Sequence, residues 1–457
     1  MHNTLASASQ PAVAGPERAT ERASVRGSRS TGFLILFLIY FLLFGVTISL
    51  GDETGGLKPV PPTPADLAYR SGVAALAEGN LPTAQQDFNK SLQLDPKHVE
   101  ALLGLAEVSI RKRDYKTAGL QLQRATVIAP TNADVRTTLG HYLFFQKRYA
   151  EAEATLKKAI ELDPRAARPH IELGNLYLVG MHRPKEAIEA YRAGLAIDPK
   201  QAQAHYAFAN ALAKVGAFQQ AEDQFKEATR LDPKNPLMFE ALGVFYAGRH
   251  ENDSALDAYS KAINAAPNFL PAYIDRGDVL LAMGQSDKAL AEYQTALKVA
   301  PKFANAYTKI GVLQQSKGDA DQARKSYLEA VRLDPKQVVA YNNLAWLAAD
   351  RKTDLADAEG WARRAVELAP KSATCQDTLG WVYRARGQPE KALVALRKAA
   401  LLGPKDAEIY YHLGVVYAEK GQTQQAAEAL KKSLALSKNF EGANDAQSRL
   451  MALSRPH

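Results

Sequence analysis

The chain of 457 residues carries nine histidines, one cysteine and 49 acidic residues, and their spacing builds none of the usual catalytic constellations. No H-E-x-x-H pairs two imidazoles on one helix face, no loop ends in G-K-S/T to cradle a phosphate, and no G-x-S-x-G raises a serine nucleophile. Cys375 stands alone, so it closes no intramolecular disulfide and supplies no paired C-x-x-C metal site. His141, His205 and His412 are scattered, and a packed or solvated role suits each better than metal ligation. The expectation is a protein with no catalytic residue, no cofactor and no metal.

Recognition chemistry is better represented. Trp346 and Trp381 each combine a large apolar face with a ring N–H donor, the residue type that most often anchors interfaces. Asn342, Asn343, Asp377 and Arg384 stand within one helical turn of one or the other, offering amides and charges to a peptide backbone or its termini. Asn175, Asn210, His141 and Tyr206 form a second candidate group. The competing reading places both tryptophans in the core, where aromatics at helical spacing usually belong. Trp361 is read as packing.

The elements that position these residues are set by a repeat. Prolines recur at Pro96, Pro130, Pro164, Pro199, Pro233, Pro267, Pro301, Pro335, Pro370 and Pro404, with gaps of 34 or 35 residues throughout. A fixed period of this length signals a helical solenoid. In the unit from Leu270 to Phe303, Gly277, Ala289 and Ala296 fall where helix axes must approach to about 8 to 10 Å. Tyr273, Leu280 and Tyr293 fill the remaining volume. Gly284 suits a left-handed turn, and Pro301 stops the second helix because it lacks an amide hydrogen and disfavours helix at the residue before it.

This pattern resembles the tetratricopeptide repeat family, whose 34-residue unit is a pair of antiparallel helices, and the resemblance spans about Ala65 to Phe440. It implies an all-α fold, a right-handed α-solenoid of about eleven helix-turn-helix units, with a groove lined by the first helix of each. The two 35-residue units are expected to hold their extra residue between the helices, near Met181 to Pro184 and Arg351 to Leu355. Residues 441–457 are expected to form a capping helix in which Leu450, Met451 and Leu453 cover the last exposed groove.

In the family, the second, fifth, sixth, ninth, twelfth and thirteenth positions of a unit tend to face the groove. The ninth position here is Glu107, His141, Asn175, Asn210, Asp278, Trp346 or Trp381 in seven units, and Val in the other four. Asn175 and Asn210 resemble the asparagines that clamp a terminal carboxylate in the co-chaperone subgroup. The fifth positions carry Ile171 and Tyr206 where that clamp needs lysine, so the fit is poor.

Ahead of the repeats, Gly32 to Leu50 is a run of nineteen residues without a charge, long enough as a helix to reach about 28 Å. It reads as an uncleaved transmembrane helix. Arg18, Arg22, Arg26 and Arg29 precede it, while Asp52 and Glu53 follow, which puts the amino terminus in the cytoplasm and the repeats outside. Residues 1–31 read as a disordered cytoplasmic tail and 51–64 as a proline-rich linker.

The formal charge of +8 is spread thinly, and seven lysines directly follow repeat prolines in the loops between units, so no nucleic-acid footprint is expected. The expected protein is a membrane-tethered scaffold of a bacterial envelope, periplasmic in its repeats. It would bind proteins or peptides rather than small molecules and serve assembly or export. Two alternatives remain: a noncatalytic subunit of an envelope polymer-synthesis or glycosyltransferase complex, and an adaptor facing the cytoplasm.

Overall fold

A computed structural model describes residues 61–453, which form twenty-three α-helices and one π-helical segment. The expected tail, membrane helix and most of the linker lie outside the described residues. Among the described residues no helix is long and apolar enough to cross a membrane.

Up to Ala266 the described residues form one compact unit, and from Pro267 onward they form another. The first holds six helical hairpins, numbered here in chain order. They are Pro64–Ala77 with Leu81–Leu94, Val99–Arg111 with Tyr115–Ile128, Ala133–Phe145 with Tyr149–Leu162, Ala167–Asn175 and π-helical Leu176–Gly180 with Pro184–Ile197, Ala202–Lys214 with Phe218–Leu231, and Pro236–Gly248 with Asn252–Ala265. The second unit holds hairpins 7 to 11: Leu270–Ala282 with Ser286–Val299, Ala304–Ser316 with Ala320–Leu333, Val338–Arg351 with Leu355–Leu368, Ala373–Ala385 with Pro389–Leu402, and Ala407–Glu419 with Thr423–Leu436. Ala443–Leu453 closes it.

Local chemistry sets these boundaries. Thr63 and Asp66 make a reciprocal capping box, so the first helix begins at Pro64, inside the expected linker. Between hairpins, an aspartate accepts from the amide two residues on, as Asp95 does from Lys97 at 2.9 Å and Asp334 from Lys336 at 3.0 Å. The proline between them holds its preceding residue extended, and the second helix stops there.

Within hairpins, one small residue faces one large one. A Cβ added to Gly311 would lie 2.6 Å from Tyr327 Cε1, and the same close approach links Gly174 to Tyr191 and Gly243 to Tyr259. Glycine here lets an aromatic ring of the second helix press on the backbone of the first. Tyr191, Tyr293 and Tyr327 are fully buried as a result. Trp361 is half-buried and packs against two apolar clusters of the second unit, consistent with its reading as packing.

Two expectations need correction. The extra residue of the 35-residue units lengthens the first helix and leaves the connection at three residues. In hairpin 4 it is absorbed as the π-helical turn Leu176–Gly180, where Met181 N–H donates to Leu176 C=O at 2.9 Å. In hairpin 9 the helix runs on to Arg351, and both Lys352 and Asp354 take left-handed conformations to turn the chain. Met451 is the second correction. Leu450 and Leu453 pack onto the last apolar cluster, but Met451 is 57% exposed, because its place on Ala443–Leu453 points away from that cluster.

Candidate functional site

In hairpins 8 to 11 each first helix packs along the next, so equal positions come side by side. In the second unit this joins Trp346 of hairpin 9 to Trp381 of hairpin 10. Their rings stack with centroids 6.1 Å apart and planes 15° from parallel. Both rings are half-buried; Trp381, like Trp361, packs one side against an apolar cluster of the second unit, and the rest of each ring is open.

Each flank of this pair is fixed. The Arg384 guanidinium lies over Trp381, with Cζ 4.3 Å from a ring centroid, and its Nε donates to both carboxylate oxygens of Glu419 at 2.9 and 3.0 Å. The His412 imidazole, from hairpin 11, sits 4.1 Å from Trp381 and 5.6 Å from Trp346. Its Nδ1 donates to Asp377 Oδ1 at 2.8 Å, and both side chains are 4% exposed. A carboxylate thus orients the imidazole, and the imidazole supports the indoles.

The neighbouring amides divide. Asn343 donates from Nδ2 to the Tyr327 hydroxyl at 3.0 Å and accepts from Asn342 Nδ2 at 3.3 Å. Asn342 Oδ1 and Thr378 Oγ1 are buried and have no hydrogen-bond partner among the described residues. Asn342 lies one turn from Trp346, and Thr378 one turn from Trp381, so unused polar atoms share the helix faces that carry the indoles.

The second candidate group is built differently. His141 Nδ1 lies 3.1 Å from Glu172 Oε2, and its Nε2 lies 3.7 Å from Glu107 Oε2. All three residues are at most 5% exposed. Arg111 donates from Nε to Glu107 Oε1 at 3.0 Å. Burial opposes charge on His141, but the Glu172 and Glu107 carboxylates outweigh it and hold the imidazole above its usual range. Burial likewise opposes charge on both glutamates. His141, with Arg168 and, for Glu107, Arg111, outweighs it and holds them below the usual carboxylate range.

Asn175 belongs to this network. It accepts from the Tyr191 hydroxyl at 2.7 Å and donates to Glu172 at 3.4 Å. Asn210 instead donates to the Tyr206 carbonyl of its own helix at 2.9 Å, and the Tyr206 ring meets Phe225 edge-on at 6.1 Å. The structure therefore gathers Trp346, Trp381, Asp377 and Arg384 into one site and pairs Asn342 with Asn343. It ties His141 to Asn175 through Glu172 and leaves Asn210 with Tyr206 as a separate patch.

Residue-by-residue reading missed His412 and Glu419 in the first site, and in the second Glu107 and Glu172 as partners of His141, with Arg111 on Glu107. A signal existed. Glu107 and His141 are one 34-residue repeat apart, and Asp377 and His412, like Arg384 and Glu419, are 35 apart, one repeat and one residue.

Comparison with known proteins finds models of the repeat along most of the described residues. A family model described as the C-terminal domain of cilia and flagella-associated protein 70 matches residues 238–451. Two models described as tetratricopeptide repeat match residues 75–142, 178–243 and 137–202. The type IV pilus assembly protein PilF of Pseudomonas aeruginosa is 30% identical over 169 residues, covering 36% of this chain and 67% of that protein. The CTR9 homologue of Arabidopsis thaliana is 26% identical over 240 residues, covering 50% of this chain but only 22% of that protein's length. A solved structure of the APC/C hetero-tetramer Cut9-Hcn1 aligns over 86% of this chain and 97% of its own at 17% identity, with a TM-score of 0.47.

Proposed function

The chain belongs to the tetratricopeptide repeat family, and from that premise we propose that it is a membrane-tethered scaffold whose first-helix face holds protein or peptide partners without catalysing a reaction on them. Domains of this family bind proteins or peptides. The observation that carries the reading is the Trp346–Trp381 stack: two indoles, half-buried and braced by His412, form a rigid aromatic platform. Preorganised rings lose little conformational freedom when a partner docks, and the unpaired Asn342 and Thr378 oxygens add polar contacts within a helical turn.

The repeats are placed outside the cytoplasm, in service of envelope assembly or export. Two features support that placement: the uncharged run Gly32 to Leu50 with arginines ahead of it, and the similarity to a pilus assembly protein. Alkaline phosphatase fused after His457 tests the topology, since the reporter is active only after export. Activity is expected, and an inactive fusion would reverse the orientation.

The binding site is tested by crosslinking in membranes of cells that make the full chain. Adducts formed by the wild type should be lost or much reduced in a W346A/W381A double variant whose circular dichroism is unchanged. Equal adducts in both would remove the aromatic platform as the site.

A further inference from the structure

The second helix of hairpin 10 exposes a ridge that is both apolar and cationic. Along it, Lys391, Val394, Lys398 and Leu401 follow at i, i+3, i+7 and i+10, which places them on one face. Val394 is 69% and Leu401 82% exposed, among the most exposed large apolar side chains of the described residues. Beside this stripe lies a cleft of about 440 Å³, floored by Leu379 and Tyr383 of the first helix and walled by Val366 of hairpin 9. Gln376 also lines the cleft; it is 3% exposed, and its Nε2 has no hydrogen-bond partner among the described residues.

The charges on this helix are unbalanced. The two preceding second helices each hold an internal ion pair, Arg332 with Glu329 and Arg363 with Glu359, and Arg324 reaches Asp354 of the next hairpin. On Pro389–Leu402 the one acidic residue, Glu390, is engaged by Lys420 of the next hairpin. Lys391 meets only the Tyr383 ring, and neither it nor Lys398 has a carboxylate within salt-bridge reach among the described residues. Apolar and cationic side chains therefore alternate along an exposed ridge beside a largely apolar cleft, whose one acidic lining residue is the Lys420-paired Glu390.

We propose that this ridge and cleft dock an acidic amphipathic helix of a protein partner. Its apolar side chains would enter the cleft beside Val394, and its carboxylates would pair with Lys391 and Lys398. A helix is the favoured occupant because the apolar floor is recessed between two helices. Side chains projecting one per turn reach it, whereas a flat anionic surface would meet only the lysines and Leu401.

The test uses the full chain and a fluorescein-labelled, lactam-stapled helical peptide that carries leucines on one stripe flanked by glutamates. A twin with lysine at every glutamate is the control. Anisotropy titration should show the acidic peptide binding the wild type. A K391E/K398E variant, altered only at exposed positions, should bind it about tenfold more weakly and should bind the lysine twin more tightly than the wild type does. W346A/W381A should bind the acidic peptide as the wild type does, so failure here would leave the aromatic platform untouched. Absence of binding, or equal binding of both peptides by the wild type and the charge-reversed variant, would overturn the assignment. So would binding of dihexanoylphosphatidylglycerol that is lost in K391E/K398E while the acidic peptide does not bind.

Discussion

In the first compact unit, the ninth position of hairpin 3 holds His141, enclosed between Glu107 and Glu172 and 4% exposed. In the second, the ninth positions of hairpins 9 and 10 hold Trp346 and Trp381, stacked and half-buried, with a comparable carboxylate-bound histidine against them. The repeat thus decides where a side chain lies, and the side chain decides whether that place is closed or open. Three interlocked charges neutralise one another inside the stack, whereas two indoles leave apolar surface and unused polar atoms beside them. The first arrangement ties three consecutive hairpins together; the second suits a ligand.

The sharpest way to break the comparison is His141→Ala. It leaves two carboxylates buried with no imidazole between them, and removing one partner of a buried charged network costs about 3–5 kcal/mol. The three tryptophans, Trp346, Trp361 and Trp381, all lie in the second unit, so their fluorescence reports that unit while far-ultraviolet circular dichroism reports both. Urea titration of H141A should lower the dichroism midpoint of the first unit and leave the fluorescence transition in place. A fluorescence transition that moves equally would show that the two units unfold together.

The same network carries a pH dependence of definite sign. His141 is held above its usual range, so its contribution is complete below about pH 6.5 and fades as the pH rises through its raised pKa. Glu107 and Glu172 are held below theirs, so their contribution is present above about pH 4.3 and fades as the pH falls through their lowered values. The first unit should therefore be most stable between those limits, by a margin that shrinks in His141→Gln. Urea midpoints of both proteins from pH 4 to pH 9 check this, and parallel profiles would remove His141 from the account.

Trp346→Ala tests the open side of the comparison. Truncating a fully buried tryptophan costs about 3–5 kcal/mol, but a half-exposed ring leaves a smaller void, so a loss of about 1–2 kcal/mol is expected. A loss as large as that of a core residue would return Trp346 to the packing role.

These two regions were legible in the sequence to different degrees. The proline period and the small-to-large alternation of Gly311 with Tyr327 specify the hairpins, because one repeat can stack only on another. The tryptophan pair was visible because both rings occupy the ninth position. His412 was not, since it sits at the sixth position of the following unit and reaches the indoles only through the sideways packing of first helices. The π-helical turn in hairpin 4 was hidden for another reason. Gly180 and Pro184 advertise a loop, yet the uninterrupted apolar run from Leu176 to Val179 keeps the helix packed through the insertion.

The connections between paired helices extend the comparison to the backbone. Each turns through a left-handed residue. In the second unit that residue is glycine in four hairpins of five, namely Gly284, Gly318, Gly387 and Gly421. In the first unit it is Arg113, Lys147, His182 or His250 in four hairpins of six. A residue with a Cβ pays about 1–2 kcal/mol for this conformation, while glycine gives back about 0.5–1 kcal/mol through the freedom of its unfolded chain. Lys147→Gly should therefore stabilise the first unit by about 0.5–1 kcal/mol, with the same sign for Arg113→Gly and His250→Gly. The gains should add, because these turns are separated by whole hairpins. A triple variant with an unchanged dichroism midpoint would mean that the side chains at these turns offset the backbone strain, for instance through Arg249 against Phe218 and Phe245 beside His250.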